Sequence, residues 1–287
     1  MKSDSGASDD PAYYLPRAAS TDGHEHVHEH VHEHVHDNFL ATPATAGPWS
    51  ADAQHGGPPA ALLGRALEAL AEHGRTVGRF TMDLLGPVPL GPLSVAAEVV
   101  RPGRTVALLQ ATLYDECAGR AVARAQAWTF PLTTGGPAPV AAAPLPHTPA
   151  DGRLEEPPAG WHQDGYMSSV EWRWISGSVT RLGPAVVWMR PRLPLLPGEQ
   201  MSPLQRLLTC VDSANGASAA LDPTEWAFMN TELTVHVLRP PVGEWICLDA
   251  RTTLGPGSVG VAVSEVHDER GLVGRSTAAL LVVRNGG

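Results

Sequence analysis

The sequence is short of charge, of aromatic residues and of cysteine, and each shortage narrows what the chain can be. Charged residues make up 17% and aromatics 6% of its 287 residues, against 43% hydrophobic. That balance supplies a large core and is unlike a disordered chain. Acid dominates the little charge there is. The formal net charge of -10 argues against nucleic acid or an anionic membrane surface as the main partner. An anionic ligand would be held by local donors rather than by a basic surface. The three cysteines, Cys117, Cys210 and Cys247, form no paired-cysteine motif and read as buried thiols in a reducing compartment. No apolar run is long enough to span a bilayer, and Met1 to Pro11 lacks the apolar stretch of a signal peptide. Cytoplasm is the expected location. No Gly-x-Ser-x-Gly elbow and no Walker loop is present, which disfavours a serine α/β-hydrolase or a P-loop enzyme.

What is there begins with a polar leader, residues 1–37, expected to be disordered. Inside it Glu25-His26-Val27-His28 recurs as Glu29-His30-Val31-His32 and Glu33-His34-Val35-His36. The seven histidines from His24 to His36 fall on even positions, so an extended strand would put them on one face. Such a comb has affinity for zinc, nickel or copper. It is read here as a low-complexity expansion without a catalytic role. Outside the leader no His/Cys/Asp cluster has metal-ligand spacing, so no metal is expected.

Beyond the leader the chain has an order that recurs. Phe39–Pro43 is a short strand candidate and Trp49 an early core anchor. Prolines 58 and 59 open a helix over residues 60–73, where Leu62, Leu63, Ala66, Leu67 and Leu70 keep helical spacing and Gly74 stops it. Four strand-like runs follow at residues 76–85, 93–100, 105–115 and 120–130, separated by Gly-Pro and Pro-Gly turns. The segment from Pro131 to about Asp164 is rich in Pro, Ala and Gly and reads as a linker. Then come strands at 170–175 and 185–190 with Trp172, Trp174 and Trp188 as anchors, a helix at 202–216, and strands at 228–238, 245–253, 258–266 and 272–283. Strand, helix and four strands, twice over, indicate a duplicated α+β unit. Each copy is expected to be a curved antiparallel sheet with one helix across its concave face.

The second helix carries the candidate chemistry. Ser202 is an N-cap, Pro203 suits the first helical position, Gln205 completes a capping box and Gly216 is placed to end the helix. Leu204, Leu208, Val211 and Asp212 share one stripe, so the Asp212 carboxylate should point where the leucines point. That is costly through desolvation and through the negative end of the helix dipole. The competing reading is an exposed turn at Asp212-Ser213-Ala214-Asn215-Gly216.

Gln54-His55-Gly56-Gly57-Pro58-Pro59-Ala60-Ala61-Leu62-Leu63, Asp212-Ser213-Ala214-Asn215-Gly216, and Asn230-Thr231-Glu232-Leu233-Thr234-Val235-His236 running into Arg239-Pro240-Pro241-Val242-Gly243-Glu244-Trp245 together resemble the double-hotdog acyl-CoA thioesterases, over residues 39–285. The resemblance implies a tandem (double) hotdog of the α+β class: two antiparallel sheets, each wrapped around one central helix, joined as a pseudo-dimer. It divides the chain into an N-terminal hotdog at 38–131, a linker at 132–164 and a C-terminal hotdog at 165–287. It also implies an acyl-CoA or acyl-thioester substrate, no cofactor, and further association into a homo-oligomer. In the more distantly similar bacterial acyl-CoA thioesterase II, an Asp on the second helix, a Thr on the next strand and a Gln on the final strand hold the attacking water. Asp212 matches the first and Asn230 falls at the second. The third falls at Ala278 or Ala279, which moves that role to Ser276 or Thr277 or leaves it unfilled.

Thioester hydrolysis needs a positioned water, a carboxylate to orient or deprotonate it, and donors for the developing oxyanion. The expected catalytic residues are therefore Asp212 and Asn230. Substrate contacts are expected from His55, Gly56, Gly57, Asn215 and Thr231, with the backbone N–H groups at Gly56 and Gly57 as oxyanion donors. The plainer alternatives are that the glycines only start a helix, that His55 is structural and that Asn215 braces the helix end. A hotdog hydratase would place a His a few residues after the Asp, and Ser213 to Ala219 contain none. The rival function is a non-catalytic acyl-CoA or acyl-carrier-binding protein, supported by the missing Gln.

Overall fold

Runs rich in Val, Ala, Leu and Thr, bounded by turns that glycine and proline enforce, bury enough apolar surface only by pairing side by side. The computed structural model describes residues 11–18, 35–133, 147–156 and 161–285, together with Gly136, Val140 and Leu145. Its strands are β1 (Tyr14–Arg17), β2 (Val35–Ala41), β3 (Arg75–Leu84), β4 (Pro92–Arg101), β5 (Ala107–Asp115), β6 (Arg120–Pro131), β7 (Val170–Ser178), β8 (Arg181–Pro191), β9 (Trp226–Asn230), β10 (Glu232–Val237), β11 (Ile246–Leu254), β12 (Val259–Asp268) and β13 (Gly271–Arg284). The helices are α1 (Gly57–Leu70), the single turn α2 (Tyr166–Ser169), α3 (Pro203–Val211) and the single turn α4 (Ala214–Ala217).

The described strands form one antiparallel 13-stranded sheet in the order β1-β2-β4-β5-β6-β3-β10-β13-β12-β11-β8-β7, with β9 paired to β13. The two expected sheets are thus joined edge to edge where β3 meets β10, as in the pair Phe80 and Val235. The neighbour order β1-β2-β4-β5-β6-β3 recurs in the second set as β7-β8-β11-β12-β13-β10. Helix α1 packs on β2 to β6, α3 on β8 and β11, and the two helices pack on each other. They run antiparallel: Gly57 lies against Thr209 and Gly64 against Leu208, while Glu68 accepts hydrogen bonds from Ser202 and Gln205 at the start of α3. A side chain at residue 64 would meet Leu208 Cδ1 at 2.5 Å, so the missing Cβ sets how closely the helices approach. Leu62, Leu63, Leu67, Leu207 and Leu208 are fully buried between helices and sheet.

Four expectations need correction. The leader was drawn to residue 37, yet β1 pairs with β2 and the Tyr13 and Tyr14 amides donate to Pro194 and Leu195 at 3.1 and 3.0 Å. Both tyrosines are fully buried, which draws this segment into the core. Most of the histidine comb lies outside the described residues; His36 sits in β2. Trp49, expected in the core, is 55% exposed. The helix expected over 202–216 stops at Val211, and Gly216 lies inside the separate turn α4. Finally, the strand expected over 228–238 breaks at Thr231, whose amide and hydroxyl both donate to the Ala279 carbonyl.

Candidate active site

Asp212 follows the last residue of α3 and is only 5% exposed, which removes the exposed-turn alternative. Two tertiary contacts account for its burial. Asn230, the last residue of β9, donates from Nδ2 to Asp212 Oδ1 at 2.6 Å. The other carboxylate oxygen lies 3.3 Å from His55 Nδ1. The acid also rests on the backbone at the start of α1, where a Cβ on Gly56 would come within 2.7 Å of Oδ2. The negative end of its own helix disfavours Asp212, but the positive N-terminus of α1 compensates. The antiparallel helix pair therefore makes a carboxylate tolerable here.

His55 keeps only 14% of its side chain exposed, and this desolvation lowers its pKa against the opposing influence of Asp212. The ring is accordingly neutral near pH 7, and its contact with Asp212 is a polar contact rather than an ion pair. The same Nδ1 accepts from the Gly57 amide at 3.1 Å. One nitrogen of a neutral imidazole can accept from Gly57 or donate to Asp212, but not both at once. Pro58 and Pro59 carry no N–H, so Gly56 and Gly57 supply the amides at this helix start.

A residue not anticipated from the sequence, Tyr166 of α2, holds both sides of this arrangement. Its ring stacks on His55 with centroids 3.7 Å apart and planes within 4°. Its hydroxyl donates to the Thr209 carbonyl at 2.7 Å and meets Ser213 Oγ at 2.9 Å. Those two bonds flank Asp212 in sequence. They also explain the end of α3: the hydroxyl takes the Thr209 carbonyl, and the Ser213 amide turns to Cys210 instead. Burial raises the Tyr166 pKa well above that of an ordinary tyrosine, so it remains a donor.

The remaining candidates divide. Asn215 lines a chamber of ≈ 40 Å³ with His55 and Ser213, while its own Oδ1 accepts from the Gly216 amide. The Thr231 hydroxyl is committed to Ala279 at the strand break and makes no hydrogen bond with Asp212. Ala278 is buried, and Ser276, two residues away on the same face, has a buried Oγ without a partner. Thr277 is exposed on the other face of β13. Asn230 Oδ1 is likewise buried without a partner among the described residues. At the far end of the helix pair Glu68 accepts from Ser202 Oγ at 2.7 Å and Gln205 Nε2 at 3.0 Å. Burial raises the Glu68 pKa, opposed by those two donors.

Trp49 and Trp161 are shared between the chamber beside His55 and a neighbouring cleft of ≈ 510 Å³ lined also by Phe228, Leu182 and Arg181. Among the described residues no group of three or more His, Cys, Asp or Glu is placed to hold a metal ion. No described helix is long and apolar enough to cross a membrane.

Two family models match the chain. One describes the acyl-CoA thioesterase N-terminal domain, over residues 45–130, and the other the acyl-CoA thioesterase C-terminal domain, over residues 142–282. Comparison with curated proteins returns no match. Among solved structures, a protein assigned as a thioesterase II from Thermobifida fusca YX is 22% identical with a TM-score of 0.68, covering 87% of this chain and 92% of that one. A hot-dog-fold protein from Alicyclobacillus acidocaldarius is 19% identical with a TM-score of 0.68, covering 86% and 93%. The acyl-CoA thioesterase II of Mycobacterium marinum is 15% identical with a TM-score of 0.65, covering 88% and 94%. At such identities the structures establish a shared hotdog-type fold, and the domain models carry the family.

Proposed function

Since the chain belongs to the acyl-CoA thioesterase family, with both of its domains in order and thioester hydrolysis as its chemistry, we propose that it cleaves an acyl-CoA to the free acid and CoA with a water held by Asp212 and Asn230. The observation that carries this reading is the 2.6 Å bond from Asn230 to a buried carboxylate beside the α1 N-terminus. Asn230 Oδ1, buried and without a partner among the described residues, is the atom that would accept from the same water. The nearest chamber, of ≈ 40 Å³, has room for a water but is lined by His55 and Ser213 rather than by Asp212 or Asn230, so the water reaches the pair from beside His55. Asp212 takes the proton of that water as it attacks the thioester carbon and passes it to the CoA sulfur as the C–S bond breaks. The carbonyl oxygen is taken by amides at Gly56 and Gly57. When Gly57 turns to the substrate, His55 Nδ1 is left free to accept from Asp212 once that carboxylate is protonated, which keeps it oriented.

We read each recurring set of strands, with α1 or α3, as one hotdog unit, and the reaction as seated where the two helices meet. The protein is read as soluble and cytoplasmic. The experiment is a panel of acyl-CoA substrates with a thiol reagent, which should detect CoA release that Asn230→Ala slows about tenfold or more. A second reading, binding without turnover, is favoured by Ala278 alone. Calorimetric binding of acyl-CoA with no thiol release at any chain length would support it and displace the first.

A further inference from the structure

We propose that the acyl group accepted by this cleft carries an aromatic ring close to its carbonyl, held by Trp49, Trp161 and Phe228; this rests on the thioester-hydrolase reading of the site. The three side chains come from distant parts of the chain: the loop before α1, the segment before α2, and β9. They converge edge to face, with Trp49 4.5 Å from Trp161 at 60° and 6.1 Å from Phe228 at 77°. Despite those two neighbours Trp49 keeps 55% of its surface open. A large ring left half in water at the edge of a cleft gains by covering itself with a ligand, and rings favour a further ring.

The position of the cluster fixes where on the substrate that ring lies. Trp49 and Trp161 line the small chamber that also holds His55, and they line the wider cleft as well. A ring seated there shares a chamber with His55 and so lies toward the carbonyl end of the acyl group, as in an aroyl or arylacetyl thioester. The stacked pair Trp172 and Trp174, 6.2 Å apart at 11°, extends the same wall inward. Charge argues against the alternative aromatic source, the adenine of CoA. The residues lining the wide cleft include one cation, Arg181, beside one acid, Asp222. A nucleotide bearing several phosphates would need more cationic donors than that.

The test compares kcat/KM for phenylacetyl-CoA, benzoyl-CoA and hexanoyl-CoA, and for the phenylacetyl thioester of N-acetylcysteamine, which lacks adenine. An aryl-CoA should exceed hexanoyl-CoA by about tenfold. Trp49→Ala should remove most of that preference, by raising KM for both phenylacetyl substrates, and Trp49→Phe should restore it. Equal or better use of hexanoyl-CoA would overturn the proposal. So would a Trp49→Ala effect on the CoA thioesters but none on the N-acetylcysteamine thioester, because the ring would then hold adenine. Binding of the S-benzyl and S-hexyl thioethers of CoA, followed by quenching of tryptophan emission, separates this from failure of the hydrolase reading. Tighter S-benzyl binding with no turnover of any thioester would leave the aromatic preference standing and remove the hydrolysis; equal binding would remove the preference.

Discussion

The Asp212 carboxylate lies so close to the backbone of Gly56 that a single added methyl group would come within 2.7 Å of Oδ2. The end of one helix thereby rests on the start of the other, and the position before α1 has room only for glycine. Gly56→Ala should displace the carboxylate from Asn230 while leaving the sheet intact. The expected outcome is a drop in thioester turnover of about tenfold or more, with stability lowered by about 1–3 kcal/mol, read by thiol release and urea unfolding. Wild-type turnover in this variant would mean that the close approach has no part in the reaction.

Tyr166 is predicted to act by positioning, since its hydroxyl and its ring do separable things. Tyr166→Phe keeps the stack on His55 but leaves the Thr209 carbonyl and Ser213 short of a partner. About 1–3 kcal/mol of stability should be lost, with a fall in kcat and little change in KM. Tyr166→Leu removes the stack as well and should lower kcat further. If both variants lose stability but keep wild-type kcat, Tyr166 is only a part of the core.

For His55 the sign of the pH effect can be worked out. Burial lowers its pKa, so between that value and the ordinary histidine value of about 6.5 the unfolded chain binds a proton that the folded chain does not. Stability from this group is thus complete above pH about 6.5 and is lost as pH falls below it. Comparing wild type with His55→Gln in urea at pH 8 and pH 5 isolates that contribution from the other histidines. The gap between the two proteins should narrow at pH 5 and open at pH 8; the opposite trend would place a charged imidazole beside Asp212.

A second group tests the frame rather than the site. Burial works against ionisation of Asp268, but the Arg239 guanidinium and the amides of Val242 and Arg270 together hold its pKa below the ordinary aspartate value. Its stabilisation is present above about pH 4 and is lost as pH falls through the lowered value. Asp268→Asn should cost about 2 kcal/mol at pH 7 in urea unfolding, a difference that shrinks only well below pH 4.

Much of this was legible because it is local. The Ser202 cap with Gln205, the stripe that turns Asp212 inward and the alternation of turns with apolar runs are all set within a dozen residues. The hairpins at Asp115-Glu116 and Asp268-Glu269 share an Asp-Glu pair, and in each the Asp accepts from its own loop, Asp115 from the Cys117 and Ala118 amides and Asp268 from the Arg270 amide. What escaped was assembled at long range. Strand β1 is too short and too polar in its surroundings to announce itself, and its pairing with β2 and with the Pro194 and Leu195 carbonyls explains it. The early stop of α3 comes from a Tyr166 hydroxyl 43 residues away from Thr209. Trp49 looked like a core anchor because composition does not distinguish a buried ring from one at the lip of a cleft. Asn230 was legible as a position but not as a partner: the break at Thr231 sets the end of β9 against Asp212.

The role of the Asp212 carboxylate is tested most directly by kcat for Asp212→Asn against wild type on an acyl-CoA that the wild type hydrolyses, with thermal unfolding as the control for fold. The amide keeps the size of the side chain and removes its capacity to take a proton from water. A loss of about 10²–10⁴-fold in kcat with folding retained is the predicted result, and a folded variant that hydrolyses at the wild-type rate would contradict it.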